Sequence, residues 1–222
     1  MLDIFDILGP IMVGPSSSHT AGAVRIGNMA RTLLGEKVAK ARIVLHGSFA
    51  QTGQGHGTDR ALVAGLLGMK PDDLRIPDSY SVAAEEKLEF VFETADLKDA
   101  HPNTALLELE GECGAKLNMQ ASSTGGGRIR VDKINGVDVG FTGAYNTLVI
   151  HSTDISGKLA EVTRLLSQAK VNIANMSLCR SRRGGSVLMV IETDHPVAPV
   201  VRSLIAELPG VQGVTYYMKE AE

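Results

Sequence analysis

The stretch TLVIHSTDISGKLAEVTRLLSQAKVNIANMSLCR (147–180), continued by SRRGGSVLMVIETDHPVAPVVRSLIAELPGVQGVTYYM (181–218), decides the fold of the C-terminal part of the chain. Residues 147–151 (TLVIH), with Leu148, Val149 and Ile150 in succession, read as a buried strand. Asp154-Ile155-Ser156-Gly157 is a turn able to open a helix. Over 158–170 the apolar residues Leu159, Val162, Leu165, Leu166 and Ala169 recur at helical spacing. Residues 171–179 alternate as a strand does. A polar turn with a Gly184-Gly185 pair then signals a hairpin into a return strand over 186–192. A second helix follows over 199–208, with Val201, Leu204, Ile205 and Leu208 on one face, and 211–218 close as a strand.

In order these elements run β-α-β-β-α-β, the arrangement of a ferredoxin-like unit. Asp154-x-x-Gly157-x-Leu159 at the first strand-to-helix turn, with Asn172-Ile173-Ala174-Asn175-Met176 in the second strand, resembles an ACT domain. That resemblance implies a module that commonly binds an amino acid and usually pairs with another ACT domain. A glycine at 157 lets the backbone approach a ligand closely, and the helix N-terminus behind it favours a carboxylate. Asp154, Gly157 and Asn172 are the implied effector contacts. The alternative is a module that serves only for dimerisation, with Gly157 permitting a tight turn.

Working outward, the texture changes near residue 145. The segment GFTGAYN (140–146) has two glycines and no strong periodicity, which reads as a hinge. The expected domains are 1–145 and 146–222. The first is mixed α/β of the α+β kind. Helices are expected over 20–34 and 58–69. Strands are expected over 39–49, 86–94, 105–110, 115–122 and 127–132. No repeat relates the halves.

The 222 residues are 44% hydrophobic and 21% charged, ordinary globular composition. With 22 basic and 25 acidic residues the net charge is −3, which gives no electrostatic footprint for nucleic acid or an anionic membrane surface. Trp is absent and aromatics are 4%, so base-stacking platforms have little material. The acidic start, Met1-Leu2-Asp3-Ile4-Phe5-Asp6, is unlike a signal peptide, and no apolar run approaches the ~18 residues of a membrane span. A cytoplasmic protein is expected. The two cysteines, Cys113 and Cys179, exclude a disulfide scaffold and a four-cysteine zinc site. They are also fewer than the roughly three or four thiolates an iron–sulfur cluster needs.

Four segments can carry chemistry. Gly14-Pro15-Ser16-Ser17-Ser18-His19-Thr20-Ala21-Gly22 places three hydroxyls and an imidazole where a loop enters a helix. Its exposed amides suit an anion such as a carboxylate. One hydroxyl suffices for a cap, so three in a row before a histidine exceed what capping needs. Gly53-Gln54-Gly55-His56-Gly57-Thr58-Asp59 sets a histidine among glycines before a helix that Thr58 can cap. An uncovered imidazole there can act as a general base near neutral pH. His101-Pro102-Asn103-Thr104 offers amide and hydroxyl groups for a small polar ligand. Ser122-Ser123-Thr124-Gly125-Gly126-Gly127 offers consecutive N–H groups as an anion-binding concavity. The bland readings are a serine-rich cap, a flexible glycine turn, a common His-Pro loop and a glycine-rich hairpin turn. There is no Walker loop, no G-x-G-x-x-G, no H-E-x-x-H and no G-x-S-x-G. The chain therefore offers bases and anion cradles but no electrophile of its own.

Taken together, these four motifs and the opening Phe5-Asp6-Ile7-Leu8-Gly9-Pro10 resemble the iron–sulfur L-serine dehydratases. With an ACT domain following, the likeness is to the β subunit of the two-subunit type. The resemblance implies an L-serine ammonia-lyase, converting L-serine to pyruvate and ammonia and inactive as this chain alone. It implies a Cys-rich α subunit as partner, which holds a [4Fe–4S] cluster acting as Lewis acid on the substrate hydroxyl. It leaves room for a monovalent cation. It implies no metal ligand in this chain. On this reading His56 is the α-proton base, and His19 orients or donates a proton near the leaving hydroxyl. Ser16, Ser17, Ser18 and Thr20 hold the substrate. Thr58 and Asp59 position His56. His101, Asn103, Gly125 and Gly126 complete the wall.

The rival reading is a non-catalytic amino-acid-sensing subunit, because the first domain also resembles the allosteric substrate-binding domain of some phosphoglycerate dehydrogenases. A sensor needs carboxylate and amine contacts but no exposed base, so the histidine pair discriminates.

Overall fold

The computed structural model describes residues 11–53 and 55–219; the opening 5–10 and Gln54 lie outside the described residues. Contacts divide the chain into two compact units, Met1–Gly136 and Val137–Glu222.

In the first unit a π-helical turn (Ser17–Ala21) leads into α1 (Gly22–Leu34), followed by β1 (Val38–Leu45), α2 (Gly47–Thr52) and α3 (Thr58–Leu66). Then come a 3-10 turn (Ile76–Asp78), α4 (Ser79–Glu85), β2 (Glu89–Thr94), β3 (Thr104–Gly111), β4 (Lys116–Gly125) and β5 (Arg128–Ile134). The sheet order within this unit is β2-β1-β3-β4-β5, and the next strand, β6 (Val137–Phe141), opens the second unit. Only β1 and β2 run parallel; β1/β3, β3/β4 and β4/β5 are antiparallel. Alternation sets the core: Leu107 and Leu109 of β3, Leu117, Met119 and Ala121 of β4, and Ile129 and Val131 of β5 are buried on one face. Helix α1 lies on β3, β4 and β5, and α3 lies on α1. Being the middle layer, α1 is apolar nearly all round: Ala23, Val24, Ile26, Met29, Ala30, Leu33 and Leu34 are all buried.

The α1/α3 crossing is unusually close. A Cβ built on Gly27 would collide with the Leu62 carbonyl and stand 2.9 Å from the Gly65 Cα. One built on Gly65 would collide with the Val24 carbonyl and stand 2.8 Å from the Gly27 Cα. Two glycines face each other, and the helix backbones touch.

Two expectations are corrected here, the end of a strand and the number of elements. Strand β1 ends at Leu45, not at residue 49, because Gly47 takes φ +56° and turns the chain into α2. Helix α4 and strand β6 were not anticipated. The segment expected to be a hinge holds the end of β6, and the division between units falls earlier, at Asn135-Gly136, where φ is +49° and +78°.

The second unit contains β7 (Asn146–Thr153), α5 (Lys158–Gln168), β8 (Ile173–Arg180), β9 (Ser186–Thr193), α6 (Pro199–Ala206) and β10 (Val211–Tyr217). The sheet is antiparallel throughout in the order β10-β7-β9-β8, as the β-α-β-β-α-β reading requires. Leu148, Ile150, Met189 and Ile191 meet Val162 and Leu166 of α5 and Val201 and Ile205 of α6 in its core. No helix among the described residues is long and apolar enough to cross a membrane.

Alanine for glycine inside a helix ordinarily stabilises by about 1 kcal/mol. At the crossing the sign should reverse: Gly65→Ala is expected to lower stability to urea by about 1–3 kcal/mol, the cost of overpacking. A Gly65→Ala variant as stable as the parent chain would show that the helices do not touch there.

Candidate active site

The site grows from the N-terminal ends of α1 and α3. From Gly27 back to His19 is eight residues, and from Gly65 back to His56 nine. Each stretch is about two helical turns, or ~12 Å of rise. The crossing therefore brings both histidines to one end of the helix pair. The His19 and His56 rings stand edge to face with centroids 5.0 Å apart.

His19 sits in the π turn, a form often found at functional positions. Ser16 caps this turn, its Oγ accepting the His19 N–H at 3.2 Å. The ring is held on several sides. Nε2 lies 3.1 Å from Ser48 Oγ, Nδ1 lies 3.4 Å from Ser16 Oγ, and the Phe49 ring is 5.3 Å away. Burial pushes the His19 imidazole below its ordinary value of 6.5, the nearby His56 adds to the effect, and hydrogen bonding to the Ser48 backbone opposes it. The shift favours the neutral form of the His19 ring.

His56 is exposed. Its backbone N–H donates to the Thr52 carbonyl at 3.0 Å, and Gly57 at φ +68° turns the chain into α3. A Cβ at Gly57 would meet nothing within 4 Å, so that glycine serves its backbone angle and not close approach. His56 is the more exposed imidazole of the pair, His19 being half-buried.

Several assignments change. Asp59 does not serve His56: its Oδ2 accepts from the Tyr80 hydroxyl and its Oδ1 from the Arg60 N–H, both at 2.8 Å. That partnership pushes the Tyr80 phenol well above its usual range, after the larger effect of burial. Thr58 does not cap α3; Gly57 holds the cap position, and the Thr58 hydroxyl is buried with no partner among the described residues. The Thr20 hydroxyl is likewise buried without a partner among the described residues, and the side chain packs where a Cβ on Gly14 would stand. Ser16 is accounted for by capping. Ser17 and Ser18 are the half-buried hydroxyls left beside His19.

His101 and Asn103 act mainly within their own loop. The Asn103 N–H donates to His101 Nδ1 at 3.1 Å, and the Asn103 carbonyl accepts from Ser123 N–H at 2.9 Å. The loop reaches the histidines through its backbone, because the Pro102 carbonyl accepts the Ser48 N–H at 2.8 Å. Gly125 and Gly126 form the β4–β5 turn at φ +98° and +61°. From that turn the Gly127 carbonyl, an acceptor, takes Arg25 Nη1 at 2.8 Å. What reaches the N-terminus of α1 is Ser123, packed where a Cβ on Gly22 would collide with its Oγ. Ser48 and Phe49 were missed, having been read as strand.

In the second unit Asp154 accepts the Gly184 N–H at 2.9 Å and meets Arg180 at 3.4 Å, Gly157 takes φ +86° before α5, and Asn172 donates to Asp194 at 2.5 Å. Strands β7 and β8 are both antiparallel to β9 and so parallel to each other. Asp154 follows the end of β7 whereas Asn172 precedes the start of β8. They lie at opposite ends of one sheet, roughly 23 Å apart by strand rise, and one copy does not bring them together.

Cys113 is exposed after β3 and Cys179 lies in β8. No group of three or more His, Cys, Asp or Glu among the described residues is arranged to hold a metal ion. These residues therefore do not fit as ligands of an iron–sulfur cluster.

A family model for the serine dehydratase beta chain matches residues 1–85, and one for the ACT domain matches 146–210. The L-serine dehydratase, beta chain, of Peptoniphilus asaccharolyticus is 39% identical over 202 residues, 90% of this chain and 91% of that one. The probable L-serine dehydratase, beta chain, of Bacillus subtilis is 36% identical over 212 residues, 96% of each chain. The D-3-phosphoglycerate dehydrogenase of Archaeoglobus fulgidus is 26% identical over 87% of this chain but only 37% of its own length. Near-full-length identity of this order, on a chain that pairs two histidines ahead of an ACT module, places it in a family: the chain belongs to the L-serine dehydratase beta chains.

Proposed function

We propose that this chain is the beta subunit of an L-serine dehydratase, converting L-serine to pyruvate and ammonia together with a Cys-rich alpha subunit. The single observation that carries the reading is the unequal histidine pair. His19, shifted toward its neutral form, is held by hydroxyls, and His56, 5.0 Å away, is exposed with no hydrogen bond to its ring among the described residues. A reachable base beside a fixed neutral imidazole suits proton abstraction α to a carboxylate. A [4Fe–4S] cluster held by the alpha subunit would supply Lewis-acid polarisation of the substrate hydroxyl.

In this account His56 takes the α-proton, the hydroxyl leaves, and the aminoacrylate formed tautomerises to an imine. Water then hydrolyses the imine to pyruvate and ammonia, so the water lost in elimination is returned. Ser17, Ser18 and the free amides at the start of the π turn face the substrate carboxylate. His19, with both ring nitrogens directed at serines, orients; it does not donate.

The sensor reading draws on the likeness to the phosphoglycerate dehydrogenase, which spans both units. It leaves an exposed histidine without a task. For the second unit, β8 is an edge strand with Met176 and Leu178 exposed. Antiparallel pairing of two β8 edges about a two-fold axis would set Asn172 of one copy beside Asp154 and Gly157 of the other, which removes their separation within one chain.

Three outcomes follow. In the assembled enzyme His56→Ala is expected to lower kcat by about 10²–10⁴-fold, the usual worth of a general base, with the unfolding midpoint unchanged. Near-normal kcat would overturn the assignment. By NMR the His19 ring is expected to titrate below 6.5, and to move up toward that value in His56→Gln, where the neighbouring imidazole is gone. Because the folded state then binds fewer protons than the unfolded one, stability falls as pH drops through 6.5 toward the folded value. A His19 midpoint at or above 6.5 would contradict this. Leu178→Lys at the β8 edge is expected to shift sedimentation toward smaller species; unchanged association would count against edge pairing.

A further inference from the structure

The sequence motifs account for one side of His19, through Ser16, and a residue outside them is placed to hold the other. We infer that Ser48 is a positioning residue: its hydroxyl accepts the Nε2–H of His19 and holds that imidazole in one tautomer and one orientation beside His56.

The argument begins with how firmly Ser48 is placed. Gly47 at φ +56° is pressed against Pro102, where a Cβ would stand 2.6 Å from the carbonyl oxygen and 2.9 Å from the Cα. Only glycine fits that contact and that angle. The Ser48 N–H donates to the same Pro102 carbonyl at 2.8 Å, and the Ser48 carbonyl accepts the Thr52 hydroxyl at 2.8 Å. The Ser48 N–H and carbonyl are thus both engaged elsewhere, and it is Oγ, not a backbone atom, that stands at hydrogen-bond distance from the His19 ring, 3.1 Å from Nε2.

The other side of the ring selects the tautomer. Ser16 Oγ already accepts the His19 backbone N–H at 3.2 Å, so its hydroxyl hydrogen is free to point at Nδ1, 3.4 Å away. A neutral imidazole has one donor and one acceptor nitrogen. With Nδ1 the acceptor, Nε2 carries the hydrogen and donates to Ser48. Phe49 and His56 close two more sides, with centroids 5.3 and 5.0 Å from the His19 ring.

The chemical consequence is for His56. While the only ring N–H of His19 is held by Ser48, it cannot donate to His56, and the base stays uncapped. Without the Ser48 hydroxyl, His19 is free to change tautomer or turn its ring and hydrogen-bond the base. This consequence for turnover rests on His56 being the base, as proposed above; the tautomer itself does not.

The test uses the full chain with 15N-labelled histidine, and the same variants assembled with the alpha subunit. In the parent chain, long-range 1H–15N spectra should show His19 protonated at Nε2 alone. Ser48→Ala should shift both ring nitrogens toward an averaged pattern, and Ser48→Thr, which keeps a hydroxyl, should restore the parent pattern. In the assembled enzyme Ser48→Ala should lower kcat by up to about a hundredfold, the scale of a small misplacement, with KM within about twofold, and Ser48→Thr should recover most of it. A His19 ring pattern unchanged by Ser48→Ala overturns the inference, as does a loss of kcat that Ser48→Thr shares in full. If the parent enzyme makes no pyruvate, the functional reading fails, while the ring spectra still decide what Ser48 does.

Discussion

Everything proposed for this chain depends on a contact between two glycines. Gly27 and Gly65 let α1 and α3 cross with their backbones touching. From that crossing both helices run back about two turns to their histidines, so a small change in crossing distance is felt as a displacement at the rings. Packed interiors do not deform smoothly. A methyl group at either glycine must push the helices apart or tilt them, and either response moves His19 relative to His56. The paired imidazoles are thus a consequence of core packing, although neither lies in the core.

The second support comes from the sheet edge. The loop after β2 brings the Pro102 carbonyl to the start of α2, and α2 carries Ser48 and Phe49 to His19. Residues 101–104 are a scaffold for the site, acting through a backbone oxygen. Loops held on a rigid framework in this way are where binding and catalysis usually sit. The site so built has an exposed imidazole, a half-buried imidazole and hydroxyls, and among the described residues no group arranged to hold a metal ion as electrophile. Chemistry that expels a hydroxide needs its charge stabilised, which is why the reaction proposed here requires a second chain.

How far the sequence could be read depended on the range of the interactions involved. The second unit was legible because its apolar periods are local and its turns are marked by Gly157 and Gly184-Gly185. The histidines His19 and His56 were legible because serines and glycines crowd them. Asp59 was misread because its partner, Tyr80, lies 21 residues away on α4 and meets it only after packing. Ser48 was hidden by the apolar residues around it, which continue the pattern of β1; the signal was Gly47, whose left-handed angle ends the strand. Strand β6 was announced by Asn135-Gly136, a dipeptide that suits a tight turn with both residues at positive φ. The ACT residues Asp154 and Asn172 could be named from their motif, but only the strand directions reveal that one copy keeps them apart.

The measurement that tests the central claim most directly is pyruvate formation from L-serine under anaerobic conditions. This chain, the iron–sulfur alpha subunit proposed as its partner, and the mixture of the two are assayed side by side. A site split between two chains predicts pyruvate from the mixture only. Pyruvate from this chain alone would contradict the account, and so would serine binding by this chain with no pyruvate from the mixture.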